Sequence, residues 1–136
     1  MSFDWQEYLD LARNMSGESS NPPSQEACLR CAISRAYYAA FNQTCTRMRT
    51  QEGNQGIPLD GGSHQIVIKQ LEGSRDQERR QVGTTLSRLK RSRVQADYYA
   101  DFEGTNDIHQ RGKKARQVTA EAQGILDRLP TLIGRK

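Results

Sequence analysis

The sequence predicts an all-α fold, an up-and-down helical bundle of four main helices plus one short helix. Three observations predict it. Apolar residues recur at steps of three and four through five segments. No stretch of strand length alternates apolar and polar residues. Glycine, proline and small polar residues cluster between the segments. A chain of 136 residues suits a single domain, 1–136, with a flexible loop at Gln51–Gly62 and a tail at Thr131–Lys136.

The first helix is expected from about Ser2 to Met15, with Trp5, Tyr8, Leu9, Ala12 and Met15 on one face and Ser2 or Asp4 as its cap. Asn21-Pro22-Pro23 reads as a cap and the prolines that open the second helix. That helix runs to about Thr50 on the stripe Leu29, Ile33, Ala36, Tyr37, Ala40, Thr44, Met48. Cys28, Ala32 and Ala39 widen the stripe on one side and Phe41 on the other, which marks a central helix. Gly53, Gly56, Pro58, Gly61 and Gly62 make the following segment a loop; it lacks the Gly-Lys-Ser/Thr ending of a phosphate-cradling loop. Ser63 is expected to cap a short helix with His64 in its first turn and Ile66, Val67, Ile68 and Leu71 behind it, ended by Gly73.

The fourth helix, about Asp76 to Tyr99, carries the most informative residue. Its stripe is Val82, Leu86, Leu89, Arg93, Ala96, so Arg93 is aimed at the core. A guanidinium keeps its proton, and burying it is costly without a partner. Asp97 lies four residues on and can be that partner. Gly104 and Asn106 mark the turn into the last helix, whose face is Ala115, Val118, Ala122, Ile125, Leu126 and Leu129, and which Pro130 is expected to close.

Composition sets outer bounds. Hydrophobic residues are 35% of the chain and mean hydropathy is -0.86, so the core is thin and pairing with another subunit is favoured. No apolar run is long enough to cross a bilayer and no signal-peptide pattern opens the chain, so the expected location is cytoplasmic. Net charge is +4. Basic residues crowd Arg75–Arg93 and Arg111–Arg116, which reads as two solvated helix faces or as a phosphate-contacting surface. Cys28 and Cys31 form a C-x-x-C, but no second pair follows and His64 and His109 are remote from it. Cys28 and Cys31 are therefore expected to be small buried apolar residues, and the odd count of three, with Cys45, argues against a disulfide framework; no metal and no cofactor is expected.

Three stretches then matter together: Ala32-Ile33-Ser34-Arg35-Ala36-Tyr37-Tyr38-Ala39-Ala40-Phe41, Ser63-His64, and Arg93-Val94-Gln95-Ala96-Asp97-Tyr98. In order and wording they closely resemble the HEPN family (higher eukaryotes and prokaryotes nucleotide-binding domain), in its branch of small stand-alone bacterial and archaeal proteins. The resemblance covers about Trp5 to Leu129. It implies a helical bundle that forms a homodimer and associates with RNA or a nucleotide. It also implies work beside a minimal nucleotidyltransferase partner, or within toxin–antitoxin or antiviral defence systems. Catalytic members are metal-independent endoribonucleases in which an Arg is followed, after four to six residues, by a His at a dimer cleft. Arg93 matches the arginine. The positions for the histidine hold Tyr98, Tyr99 and Ala100, and Val94 follows the arginine. A phenol that titrates near pH 10 is a poor base at neutral pH, so the ribonuclease activity does not carry over by residue match.

The expectation is a non-catalytic module that binds RNA, a nucleotide or a partner protein, with no membrane association. Its binding residues are Arg93, Asp97, Tyr98, Arg35, Tyr38 and His64. Arg93 contacts phosphate and Asp97 positions it. Tyr37, Tyr38 and Tyr98 serve as core or interface aromatics, or stack on nucleobases. Arg35 pairs with an acid such as Asp97 or Asp101, or lines the cleft of Arg93. The second reading is an endoribonuclease toxin with a degenerate motif, whose catalytic candidates are Arg93, His64 and Tyr98. The third is a protein-interaction dimer in which Arg93 and Asp97 form only a structural clamp.

Overall fold

The computed structural model describes residues 5–17, 24–54, 56–58, 62–101 and 108–133, with only the backbone of Glu7, Tyr8 and Asp10. Its elements are α1 (Gln6–Met15), α2 (Gln25–Gln51), α3 (Ser63–Glu72), α4 (Gln77–Tyr98) and α5 (Ile108–Leu132), and no strand occurs among the described residues. The all-α bundle expected from the sequence is what forms. Central α2 packs on α4 and α5, α3 packs on α4, and α1 lies against α2 alone. Among the described residues no helix is long and apolar enough to cross a membrane.

Local chemistry sets the helix ends. Ser24 Oγ accepts from Ala27 N at 3.1 Å and starts α2; Asp76 Oδ1 accepts from Glu78 N at 2.9 Å and starts α4. The caps expected at Ser2, Asp4 and Asn21-Pro22-Pro23, and the turn at Gly104 and Asn106, lie outside the described residues. Ser63 does not cap α3. Gly62 holds that position, and Ser63 is the first helical residue, buried against the bundle. Pro130 does not close α5 either. It sits in the last turn, where a missing N–H costs one hydrogen bond, and the helix continues so that Leu132 and Ile133 can be buried. The tail expected from Thr131 thus begins as packed helix. The expected loop is also anchored: Ile57 is buried, and Arg49 donates to the carbonyls of Ile57 and Pro58.

The core stripes of α4 and α5 are as expected, with only Leu126 partly exposed. The α1 face is rotated, whereas on α2 the expected stripe is covered, with Ile33, Tyr37, Ala40, Thr44 and Met48 buried and Leu29 and Ala36 packed against the core, and only its flanks shift. On α1 the buried residue is Leu11, against Ala27 and Cys31, while Trp5, Leu9, Ala12 and Met15 are exposed. This short helix has one neighbour and apolar residues on several sides, so periodicity does not select its face. On α2 the buried arc includes Arg30, Ser34 and Cys45, whereas Cys28 and Ala39 are exposed and Cys31 is half-buried. The arc shifts at its flanks because its polar members find partners inside.

Arg30 is the clearest case. It is fully buried, and the apolar pattern does not single it out. Its Nη1 donates to Ala96 O (3.0 Å) and Tyr99 O (2.7 Å), and Nη2 to Ala100 O (2.9 Å). These carbonyls end α4, where a cation also meets the negative end of the helix dipole. Glu26 Oε1 receives Nε at 3.3 Å and also pairs with Arg111 of α5. One guanidinium therefore joins α2, α4 and, through Glu26, α5.

Two tests follow from this packing. Arg30→Met removes every donor from those carbonyls and is expected to cost about 3 kcal/mol in urea unfolding; a loss under about 1 kcal/mol would contradict the clamp. At Gly83 an added Cβ would lie 2.9 Å from Glu72 N and from Leu71 Cβ, whereas at Gly124 it would meet nothing within 4 Å. Gly83→Ala is expected to destabilise by about 1–3 kcal/mol and Gly124→Ala to stabilise by about 0.5–1 kcal/mol, read from the same unfolding curves.

Candidate functional site

The C-terminal half of α4 lays Arg93 across two tyrosines of α2. Tyr37 and Tyr38 follow each other on that helix, and their rings meet edge to face at 5.5 Å. The Arg93 guanidinium carbon lies 5.6 Å from the Tyr37 ring centre, 5.4 Å from Tyr38 and 5.9 Å from Tyr98. Cation–π attraction holds the charge there without neutralising it.

Hydrogen bonding is weaker than burial would demand. Arg93 is 7% exposed, and its buried Nε has no hydrogen-bond partner among the described residues. Asp97 Oδ2 stands 3.6 Å from Nη1, within ion-pair range but beyond a hydrogen bond. The same oxygen accepts from Ser34 Oγ at 3.2 Å. Asp97 thus orients Arg93, and the buried Nε is left without a hydrogen bond among the described residues.

His64 enters from the first turn of α3. Its ring stacks on Phe41 at 4.0 Å with a 7° tilt, and Nδ1 lies 2.7 Å from Tyr37 Oη. Burial, opposed in part by Arg93, pushes the Tyr37 hydroxyl well above its ordinary 10, so it keeps its proton. Burial first, then the charges of Arg93 and Lys90, hold His64 below its ordinary 6.5, so the imidazole is neutral near pH 7. Two proton arrangements fit the contact. Tyr37 can donate to Nδ1, leaving an Nε2–H donor at the open edge; or Nδ1–H can donate to Tyr37, leaving Nε2 as a base.

All six sequence-predicted binding residues therefore gather around the Tyr37–Tyr38 pair. Arg35 lies over Tyr38 at 5.5 Å, so Tyr38 has a guanidinium near it from α4 and another from α2. The ion pair expected of Arg35 with Asp97 or Asp101 is absent among the described residues; Ser34 is the partner of Asp97 instead. Tyr37 is fully buried, so its role is to hold His64, not to stack on a base. Tyr98 is 68% exposed and open to a ligand. His109 lies on exposed α5 surface. Ser34 and Phe41 complete the cluster, and the sequence signal for both is their place one turn from Arg30 and Tyr37 on α2. Beside Asp97, residues Leu11, Met15, Cys31, Ser34 and Arg35 line a groove of about 300 Å³ between α1 and α2.

A scan against protein-family models, a search of curated proteins and a search of solved structures find no match to this chain.

The His64 geometry predicts a pH effect. Because its folded value is depressed below 6.5, its contribution to stability is complete above about pH 6.5 and is lost as pH falls through the folded value. Urea unfolding at about pH 7.5 and pH 5.5 is expected to show a larger acid loss in the wild type than in His64→Gln. Equal losses would mean His64 does not titrate differently on folding.

Proposed function

We propose that this chain is a HEPN-like helical module that binds RNA or a nucleotide at the Arg93 cluster and works as a homodimer. The supporting observation is the buried Arg93 guanidinium, whose Nε has no hydrogen bond among the described residues. Arg30, by contrast, meets backbone carbonyls with both of its terminal nitrogens. A phosphate oxygen would complete the hydrogen bonds of Arg93, and charge assistance makes such bonds strong. Exposed Tyr98 offers a ring face to a base, and half-buried Tyr38 backs it. Partnership with a minimal nucleotidyltransferase and a place in a toxin–antitoxin or defence system belong to the same proposal, through the HEPN resemblance.

A second reading is favoured by one specific contact. His64 shares Tyr37 with Arg93, so a neutral imidazole and a guanidinium flank one ring. With Nε2 unprotonated, His64 has the chemistry of a general base for attack by a ribose 2′-hydroxyl, which would make the module a metal-independent endoribonuclease.

Fluorescence anisotropy with labelled single-stranded RNA tests the first reading. Affinity is expected to fall steeply with salt. Arg93→Ala is expected to weaken binding at least tenfold, about 1.5 kcal/mol or more, and Arg93→Lys to recover part of it. Salt-independent binding, or unchanged affinity with raised thermal stability in Arg93→Met, would replace this reading with that of a structural clamp. The second reading requires RNA cleavage in EDTA that both Arg93→Ala and His64→Gln abolish.

A further inference from the structure

A cleft on the far flank of α4 has a different character. It opens between the N-terminal half of α4 and the C-terminal half of α5, with a volume of about 450 Å³. Arg80, Arg88 and Arg128 surround it, with Thr84 and Thr85 between them. A shallower continuation of about 360 Å³ runs on past Ala120, Glu121 and Gly124. Glu121 is the one acid in either lining, and it is 2.9 Å from Arg88 Nη2. Arg80 is held in place by donating to Ser74 O and Arg75 O, each at 2.9 Å. Arg128 makes no ion pair among the described residues. Gly124 keeps the floor open, since nothing lies within 4 Å of where its Cβ would be.

We infer that this cleft is a second site that tracks the phosphodiester backbone of RNA, and that the ligand is an oligonucleotide and not a mononucleotide. Spacing carries the argument. Arg80 and Arg88 are eight residues apart on one helix, about 12 Å at the helical rise. Arg80 is turned back to the carbonyls of Ser74 and Arg75 while Arg88 is held toward Glu121, so the two guanidiniums are kept apart and suit separate phosphates. A stacked strand rising about 3.4 Å per nucleotide covers that span in about four nucleotides. The main cleft presents more polar than apolar surface, and the floor residues Val82 and Ile125 of its continuation are almost fully covered, so it suits a phosphodiester strand better than the apolar face of an acidic amphipathic helix. Arg93 lies thirteen residues from Arg80, about 20 Å along the axis, and on the buried stripe itself, outside the lining of the cleft, so the two sites are separate. The inference rests on the RNA reading proposed above and adds the class of ligand.

The test uses labelled single-stranded RNA of about 20 nucleotides, long enough to cover the cleft. The double variant Arg80→Gln/Arg128→Gln is expected to flatten the slope of log K against log salt by about 1.4, at about 0.7 for each phosphate no longer neutralised. Thr84→Glu, which adds a negative charge on an open rim, is expected to weaken the same RNA while leaving thermal stability unchanged. Binding of a mononucleotide such as AMP is expected to be unaffected by either change. If both cleft variants keep wild-type affinity and slope while Arg93→Ala weakens RNA, the cleft inference is overturned and the Arg93 reading stands. If the cleft variants lose affinity and Arg93→Ala does not, the Arg93 reading fails and the cleft stands. Displacement of RNA by poly-glutamate at equal charge concentration would overturn the phosphodiester assignment in favour of an acidic protein.

Discussion

The guanidinium of Arg30 is the contact on which the geometry of the site depends. Helix α4 ends at Tyr98, five residues after Arg93, and a helix end frays unless its last carbonyls find donors. Arg30 supplies them from inside α2. Because α2 also carries Ser34, Tyr37 and Tyr38, the clamp fixes the two helices that make the site against each other. Glu26 extends that constraint to α5 through Arg111. A chain with so modest an apolar content uses a buried charge where a larger protein would use core.

Arg30 and Arg93 both lie buried between α2 and α4, and their environments differ in kind. Five carbonyl and carboxylate acceptors, from Glu26, Gln95, Ala96, Tyr99 and Ala100, surround Arg30 at hydrogen-bond distance. Arg93 meets three aromatic rings and one carboxylate beyond hydrogen-bond distance. Burial without saturation costs stability, about 1–3 kcal/mol for a group left unpaired. The contrast between the two supports the proposal that Arg93 takes a ligand.

Much of this is legible in the sequence. The α4 and α5 stripes are long and periodic, and Arg93 stands out because it interrupts apolar residues at a fixed step. Asp97 follows from spacing alone. Arg30 escapes notice for the converse reason: its neighbours on the true buried arc, Ala27 and Ser34, are small or polar, so there is no stripe to interrupt. Its acceptors are backbone carbonyls 66 to 70 residues away, which no side-chain pattern reports. The meeting of His64 with Tyr37 and Phe41 is likewise a product of how α3 crosses the bundle. It depends on the close approach of α3 to α4 at Gly83, which composition does not reveal. The α1 face is illegible because one neighbour cannot define a stripe on a helix with apolar residues on several sides.

The choice of tyrosine rings around Arg93 completes the argument. A carboxylate at hydrogen-bond distance would satisfy the guanidinium and cancel its field. An aromatic face lowers the cost of burying the cation but leaves its charge in place. Ser34 strengthens the same effect by drawing Asp97 Oδ2 toward itself. Arg35 adds a second positive charge beyond Tyr38, and Lys90 a third near His64. In a partly dehydrated site these charges act over short distances with little screening. The depressed His64 reports burial together with the charges of Arg93 and Lys90, since an imidazole resists protonation where water is scarce and the local potential is positive. On the proposed reading, the positive potential that depresses His64 is the same potential that would attract an anion to Arg93.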